Sequence, residues 1–306
     1  MQPVSFREAL LFWLKLGFIS FGGPAGQIGL MHQALVVERR WISDKRFLHA
    51  LNYCMVLPGP EAQQLATYLG WLMHRTWGGV MAGLLFVLPS LVLLVGLSWA
   101  YVNFGQLPWM TALFNGIKPA VIAIVAQAVW RVGSRTLKHP VHWVLALGSL
   151  LATAFLQLPF PLVLLVAAAV GWVFRGRLSN ANESGHASSG GHNPLPAHAP
   201  FRPSRAAKWV LIGALLWGLP MALLGWWFGP SNTLWQMGAF FSKAALMTFG
   251  GAYAVLPYVF QGAVETYHWL TPAQMMDGLA LGESTPGPLI MVVTFIGFLG
   301  GHVQPV

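Results

Sequence analysis

The chain has 306 residues, of which 56% are hydrophobic and only 8% are charged. Soluble domains carry roughly 25% charged residues, and a soluble fold of this length would not cover its surface with so few. The composition therefore excludes an ordinary soluble enzyme and predicts an all-α, polytopic integral membrane protein. The net charge of +9 does not indicate nucleic-acid binding, because Lys and Arg occur in short clusters between apolar stretches, as in cytoplasmic loops.

Two apolar stretches near the N-terminus contain helix-breaking motifs. Residues 9–31 are interrupted by Phe21-Gly22-Gly23-Pro24, and residues 47–73 are interrupted by Pro58-Gly59-Pro60. Non-helical backbone at membrane depth is tolerated only where it is buried in protein or lines a water-filled cavity. The pattern therefore predicts broken or re-entrant helices.

Other apolar stretches are predicted to be membrane-spanning helices, which need about 20 residues each. They are residues 77–104, residues 107–130, which Lys118-Pro119 interrupts, and residues 206–228. Residues 141–174 are too long for one span and contain Pro159 and Pro161, so we predict two short helices joined by a tight turn there.

The chain becomes polar between residues 176 and 207, where Gly, Ser, Asn and Pro are frequent. Basic clusters flank this segment, which predicts a flexible cytoplasmic linker between a first half, residues 1–175, and a second half, residues 208–306. His186, His192 and His198 recur in the linker at six-residue spacing. No rigid element supports a metal site there, so we expect a solvated linker and no bound metal.

The two halves contain an internal repeat. Residues 15–60 align with residues 243–288 at a constant offset of 228, without a gap and with 11 identities in 46 positions. The identities include Lys15 with Lys243, the Phe-Gly-Gly motif and the Pro-Gly-Pro motif. Clustering of identities in these two motifs predicts a duplicated structural unit.

The charges of the two copies predict that they are inserted in opposite orientations. The loop around Trp41 carries Arg39, Arg40, Lys45 and Arg46, whereas the matching loop around Trp269 carries neither Lys nor Arg. The positive-inside rule places the first loop in the cytoplasm and the second loop on the other side. Inverted repeats with broken helices are typical of secondary transporters. Two parallel copies with a chance difference in charge are the alternative.

The breaks predict a binding site for a small anion. Each break leaves helix ends with unpaired backbone groups, and N-terminal ends carry partial positive charge and direct N–H donors at anions. The candidate substrate-binding residues are Lys15, Ser20, Phe21, Gly22, Gly23, Pro24, Pro58, Gly59, Pro60, Gln63, Gln64, Lys243, Thr248, Gly250, Gly251, Pro286, Gly287 and Pro288.

Lys15 and Lys243 occupy the same repeat position inside apolar segments. A charge within a membrane segment is costly and usually faces a cavity, which favours a role in binding the anion. A lysine side chain can instead extend to the membrane interface, so both interpretations stay open.

Carboxylates and amides lie beside the Pro-Gly-Pro motifs. Glu61 follows the first motif and Glu283 precedes the second, which makes both residues candidates for carrying protons that couple to anion movement. A structural hydrogen-bonding role is the alternative for both. Gln63 and Gln64 are polar on the same segment as Glu61, and either line the anion path or bind neighbouring helices.

No catalytic constellation is present in the sequence. There is no GxSxG, HExxH or P-loop motif, and the single Cys54 excludes a cysteine zinc site. We therefore expect neither enzymatic activity nor a cofactor.

The motifs resemble those of the chromate ion transporters, the CHR family. FGGP at residues 21–24, WISDKRFLHAL at residues 41–51 and LPGPEAQQLATYLGWLMH at residues 57–74 resemble the first half of that family. TFGGAYAVLPYV at residues 248–259 and WLTPAQMMDGLALGESTPGP at residues 269–288 resemble its second half. The combination of both halves is specific.

The resemblance implies chromate efflux across the bacterial inner membrane, with chromate resistance as the result and sulfate as a related oxyanion. The residues alone lead only to a secondary transporter of small anions, for which proton coupling is expected. An uptake carrier for sulfate or a similar oxyanion is the alternative. The expected partners are the transported anion and the lipid bilayer, and a homodimer is left open.

One departure from the family pattern concerns the C-terminus. Val306 corresponds to Gly78 at the offset of 228, and the second half has no counterpart of the spans that follow Gly78. The resemblance therefore implies a C-terminally truncated chain. An inactive half that needs a partner is a further alternative.

Overall fold

The computed structural model describes residues 4–105, 107–137, 139–156, 158, 160–173, 203–248 and 252–303. All regular elements in these ranges are helices, which confirms the all-α class. The chain divides into two compact units, of which the first contains residues 1–114 and 193–306 and the second contains residues 115–192. The predicted linker lies mostly outside the described residues, including its three histidines.

The first unit begins with short helices separated by the predicted breaks. These are α1 (Phe6–Ile19), α2 (Gly23–His32) with a π-helical extension (Gln33–Glu38), and α3 (Asp44–Val56). The following helix, Glu61–Phe104, is divided by non-helical backbone at His74 and Arg75. We number its two parts α4 (residues 61–73) and α5 (residues 76–104).

Helices α1 and α2 form a hairpin with the Phe-Gly-Gly break at its tip. Arg39, just after the π-helical extension of α2, lies 3.3 Å from Glu8 near the start of α1. The Arg39 guanidinium also lies over the rings of Phe12 and Trp41, at 5.2 and 4.7 Å from their centroids. The chain therefore returns to the end of the hairpin from which it started.

Helices α3 and α4 form a second hairpin with Pro-Gly-Pro at its tip. The rings of Tyr53 and Tyr68 face each other across it at 5.5 Å. At its open end, Nε2 of His74 lies 2.8 Å from the carbonyl oxygen of Val4, just before α1. Both hairpins thus open at the same end, where the basic residues of the Trp41 loop lie.

Helix α5 folds back on α4 with almost no space between the two backbones. A Cβ on Gly70 would overlap the carbonyl group of Gly78, and Nε2 of Gln63 donates to the Gly83 carbonyl at 2.8 Å. Small residues allow this close approach, which is the usual means of packing helices in a membrane. At about 1.5 Å per residue, the 29 residues of α5 extend about 43 Å, enough to cross a bilayer.

The second copy has the same elements at the same offset. They are α10 (Thr233–Met247), α11 (Ala252–Phe260) with a π-helical extension (Gln261–Thr266), α12 (Pro272–Ser284), a 3-10 turn (Leu289–Met291) and α13 (Val292–Val303), all preceded by α9 (Pro203–Phe228). Both π-helical extensions are six residues long and begin 228 residues apart. Arg40 and His268, which are also 228 residues apart, have positive φ angles of 52° and 51°.

Contacts along α5 show where each copy packs. Gly17 of the first copy lies against Leu85 and Pro89, and the first hydrophobic core includes Phe86. Further along α5, Leu94 belongs to the second core, and Tyr101 donates a hydrogen bond to Asp277 at 2.8 Å. The first copy therefore packs on the beginning of α5, and the second copy packs on its end.

Helix α6 (Pro108–Thr136) begins in the first unit and continues into the second. The prediction that Lys118-Pro119 interrupts this span is wrong, since the helix runs through Pro119. Proline at this point removes one backbone hydrogen bond without ending the helix. The second unit continues with α7 (Pro140–Ala154) and α8 (Phe160–Val173), which pack against each other and confirm the two predicted short helices.

Two helices among the described residues are both long and apolar enough to cross a membrane, Glu61–Phe104 and Ala206–Phe228. The predicted spans at residues 77–104 and 206–228 are therefore present as helices. Three shorter apolar helices lie at Pro140–Thr153, Leu162–Val173 and Leu289–Val303. Helix α9 begins at Pro203, before the predicted end of the linker at residue 207.

Candidate functional site

The tips of the broken hairpins from the two copies meet and exchange backbone hydrogen bonds. The N–H of Gly59 donates to the carbonyl of Thr248 at 2.7 Å, and the N–H of Gly287 donates to the carbonyl of Ser20 at 2.8 Å. The two donors correspond at the offset of 228, and so do the two acceptors. Such reciprocal contacts are those of two copies related by an approximate two-fold axis.

The Pro-Gly-Pro motif explains this exchange. Gly59 and Gly287 have φ angles of +123° and +111°, which other residues rarely adopt. Since proline has no N–H, the glycine amide is the single backbone donor of each motif. Both donors are occupied by the opposite copy, so the motifs join the copies and their glycine N–H groups are not available to an anion.

Ser20 and Thr248 lie at the centre of this contact. Both residues are buried, and their hydroxyl groups donate to the carbonyls of Leu16 and Ala244 one turn earlier, at 2.6 and 2.7 Å. Their side-chain oxygens are therefore engaged within their own helices. Their main contribution to the site is the carbonyl group that each offers to the opposite copy.

The N-terminus of α2 is the clearest position for an anion. Gly22 precedes the helix with a φ of +87° and offers no side-chain cap, and Pro24 follows in the first turn. The first-turn amide groups carry partial positive charge. By contrast, α4 begins with Glu61, whose carboxyl group occupies its first turn. The matching Phe249, Gly250 and Gly251 lie outside the described residues.

Gln27 joins the two tips, and sequence reasoning missed it. It is fully buried, and its Nε2 donates to the carbonyl of Gly287 at 2.6 Å and to that of Ser20 at 3.3 Å. Its Oε1 is buried and has no hydrogen-bond partner among the described residues. The available signal was a polar residue one turn inside a broken helix. A comparison of the two copies does not reveal it, because the matching residue in the second copy is Val255.

Tyr253 of the second copy lies against the start of α2 and is hydrogen-bonded to Glu283. The Tyr253 hydroxyl donates to Oε1 of Glu283 at 2.8 Å. A Cβ built on Gly23 would lie 3.4 Å from the same hydroxyl oxygen. Glu283 was a sequence candidate, whereas Tyr253 was not, because a tyrosine in an apolar helix gives no distinctive signal.

The polar residues after the first Pro-Gly-Pro bond mainly to neighbouring backbone. Nε2 of Gln64 donates to the Pro58 carbonyl at 2.6 Å, as Gln63 does to Gly83. These bonds support the interpretation that both amides bind neighbouring segments, although each Oε1 is buried without a partner in the described structure. Glu61 is 9% exposed, and no hydrogen bond of its carboxyl group is present among the described residues.

The remaining predicted site residues differ in their exposure. Lys15 and Lys243 are on exposed faces of α1 and α10, and within the described part of the chain neither forms a salt bridge. Phe21 is 49% exposed, whereas Pro286, Gly287 and Pro288 are buried. Of the two Pro-Gly-Pro motifs, that of the first copy is therefore the more accessible, since Pro58 and Pro60 are only partly buried.

A family model described as chromate transporter matches residues 7–172 and 235–304. A chromate transport protein of Cupriavidus metallidurans is 33% identical over 294 residues, which cover 96% of this chain and 67% of that protein. A chromate transport protein of Pseudomonas aeruginosa is 36% identical over 300 residues, which cover 98% of this chain and 68% of that protein. The uncharacterized transporter YwrB of Bacillus subtilis is 27% identical over 138 residues, which cover 45% of this chain and 70% of that protein.

No solved structure matches the chain. The two stretches that match the family model begin at residues 7 and 235, which are 228 residues apart, as are the two copies of the repeat. The family match covers both broken hairpins of the first copy and most of the second. The chain belongs to the chromate transporter family.

Proposed function

We propose that the protein is a proton-coupled secondary transporter that exports chromate across the bacterial inner membrane, and so confers resistance to chromate. The observation that carries this proposal is the meeting of broken helices from the two copies through the Gly59–Thr248 and Gly287–Ser20 hydrogen bonds. Sites formed where discontinuous helices meet at a repeat interface are typical of secondary transporters.

The two copies have opposite orientations in the membrane in this proposal. The positions at which the two copies contact α5 support opposite orientations. Ser90, near the middle of that helix, lies against Gly287 at the tip of the second copy. The open ends of the first hairpins lie toward the start of α5, with Arg39, Arg40 and Arg46. The second copy extends toward the opposite end of α5, where Tyr101 meets Asp277. The positive charge of the Trp41 loop at the first end supports a cytoplasmic position for that end.

Chromate binds at the N-terminus of α2 in this proposal. The uncapped first turn after Gly22 supplies backbone N–H donors and the positive end of a helix dipole. Gly22 and Gly23 have no side chain that would hold the anion away from the backbone. The site lies near the level of Ser90 on α5, so an anion entering from either side passes along about half the length of that helix.

Charged side chains complete the proposed pathway. Lys15 and Lys243 lie on α1 and α10, about 7 Å before Ser20 and Thr248 along each helix at 1.5 Å per residue. Their ammonium groups raise the local concentration of anions on the way to the site. Glu61 and Glu283 are the carboxyl groups beside the tips, and they carry the coupled protons.

Chromate uptake by inverted membrane vesicles tests the proposal. Vesicles from cells that make this chain should accumulate chromate under one of two imposed proton gradients, acid inside or acid outside, and vesicles that lack the chain should not. Sulfate as a competitor then separates a general oxyanion carrier from a chromate carrier. Failure of vesicles containing the inserted protein to accumulate chromate under either gradient would contradict the proposal.

A further inference from the structure

A tyrosine and a carboxyl group from the second copy flank the start of α2. Tyr253 on α11 donates its hydroxyl hydrogen to Glu283 on α12 at 2.8 Å, and both side chains are partly exposed. The same hydroxyl oxygen lies 3.4 Å from the position that a Cβ would occupy on Gly23. These two distances place the Glu283 oxygen within about 6 Å of that position.

A second feature marks this helix end as a ligand site. Gln27 is fully buried, and its amide lies beside the start of α2, since Nε2 is 3.3 Å from the Ser20 carbonyl. Its Oε1 is buried at the same place and has no partner among the described residues. A buried polar atom of this kind requires a hydrogen-bond partner, which a bound oxyanion carrying a hydroxyl group or its accompanying water supplies.

The pair of Tyr253 and Glu283 is not part of the repeated framework. The matching positions in the first copy, at the offset of 228, are Ala25 and Met55. The approximate two-fold arrangement therefore forms without a tyrosine and a carboxyl group at these positions. Their presence in one copy breaks the symmetry beside the start of α2.

We infer that Tyr253 is a substrate-binding residue whose hydroxyl donates its hydrogen bond either to Glu283 or to the oxyanion. Proton uptake by Glu283 and binding of the anion therefore favour each other. This inference rests on the proposed function and names the residue that links its two substrates. With Glu283 ionised, the tyrosine hydroxyl donates to the carboxylate, and the negative charge nearby repels an oxyanion.

Proton uptake reverses both effects. The incoming proton forms an O–H bond on the Glu283 carboxylate, which removes the negative charge and makes that oxygen a poorer acceptor. The tyrosine O–H then turns to donate to an oxygen of the anion at the start of α2. No other bond forms or breaks. Because such coupling is reciprocal, a bound anion must raise the affinity of Glu283 for its proton by the same factor.

Other titratable groups lie on the elements packed around this pair. The elements packed against α12 are the helix Glu61–Phe104, α13 and the 3-10 turn Leu289–Met291. Those packed against α11, which carries Tyr253, are α10, the π-helical extension Gln261–Thr266 and the same 3-10 turn, and α2 contacts Tyr253 through Gly23. The other titratable or charged residues on these elements and on α11 and α12 themselves are His32, Glu61, Tyr68, His74, Arg75, Tyr101, Lys243, Tyr258, Glu265, Asp277 and His302. Asp277 already accepts a hydrogen bond from Tyr101 and lies six residues before Glu283, about 9 Å along the helix.

The experiment measures chromate affinity of the purified full chain by calorimetry at several pH values. We expect parent affinity to weaken as pH rises and Tyr253→Phe to weaken it about tenfold, the effect of one hydrogen bond to a charged ligand. Glu283→Gln should remove most of the pH dependence. Tyr258→Phe on the same helix is the matched control and should behave as the parent.

The outcomes separate this inference from the proposed function. If the parent neither binds nor transports chromate, the proposed function fails. If the parent binds chromate but Tyr253→Phe has the parent's affinity, or Glu283→Gln keeps the parent's pH dependence, the inference is overturned. A Tyr253→Phe variant that lowers only the unfolding temperature also overturns it, since that result assigns the hydroxyl a purely structural role.

Discussion

Replacement of Gln27 tests the contact between the two tips. Its Nε2 donates to the Gly287 carbonyl at 2.6 Å, and no other hydrogen bond to that carbonyl is described. Gln27→Leu leaves this buried acceptor without a donor, which costs about 1–3 kcal/mol. The Ser20 carbonyl keeps its bond from Gly287, so the loss is confined to one group. Removal of the unpartnered Oε1 offsets part of the cost, and we therefore expect a net loss of about 1 kcal/mol.

Gln27→Glu should have a larger effect. A carboxylate in place of the amide faces two carbonyl oxygens in a buried site, and an uncompensated buried charge costs about 3–5 kcal/mol. The expected order of stability is therefore parent, then Gln27→Leu, then Gln27→Glu. For a chain of this size, about 1 kcal/mol corresponds to a decrease in Tm of roughly 2–4 °C.

Thermal unfolding of the detergent-purified protein, followed by size-exclusion chromatography, measures this order. Gln33→Leu is the matched control, because Gln33 is exposed in the π-helical extension that continues α2 and, among the described residues, its side chain bonds only to Glu38, at 3.4 Å. The control should unfold at the parent's temperature. If Gln27→Leu and Gln27→Glu also unfold at that temperature, Gln27 does not join the two copies and the described tip contact is wrong.

Two further predictions concern topology and the lysines. Cysteines at Ser43 and Thr271, in a Cys54-free background, should be labelled from opposite sides of the membrane, because the matching loops differ in positive charge; labelling of both from one side would exclude inverted repeats. Lys15→Ala should abolish chromate transport in vesicles at normal expression, and Lys15→Arg should restore only part of it, because guanidinium is a wide planar fork and ammonium is compact. Full transport by Lys15→Ala would favour a lysine that extends to the membrane interface.

Much of the fold was predictable from patterns in the sequence. Apolar stretches, prolines and the repeat offset indicated the breaks, the span at residues 77–104 and the two short helices after residue 140. The Phe-Gly-Gly and Pro-Gly-Pro motifs predicted the non-helical tips, because few other residues allow such backbone. Lys118-Pro119 misled the prediction of α6, since a proline within a helix reads in sequence as a break even when the helix continues.

The arrangement of the tips was not predictable, because it depends on contacts between residues far apart in the chain. Gly59 and Thr248 pair across the two copies, and so do Gln27 and Gly287. Nothing local to either residue specifies the partner. The predicted role of the Pro-Gly-Pro glycines also changed for this reason, since their N–H groups bind the opposite copy.

The proposed roles of Lys15, Lys243 and Glu61 stay predictions. The structure places both lysines on exposed helix faces and Glu61 at the start of α4. A charge on a helix face can meet lipid headgroups, water or substrate, and the chain itself does not distinguish among them.

The central claim is that chromate binds to the backbone at the start of α2. Chromate affinity of purified Gly23→Val, compared with that of Gly29→Val, tests it most directly. Gly23 has a φ of +68° and lies against Tyr253, whereas Gly29 lies on the same helix with open space around its Cβ position. We predict that Gly23→Val, recovered as folded protein, loses at least about tenfold in affinity, and that Gly29→Val matches the parent. Parent affinity in folded Gly23→Val would contradict the claim.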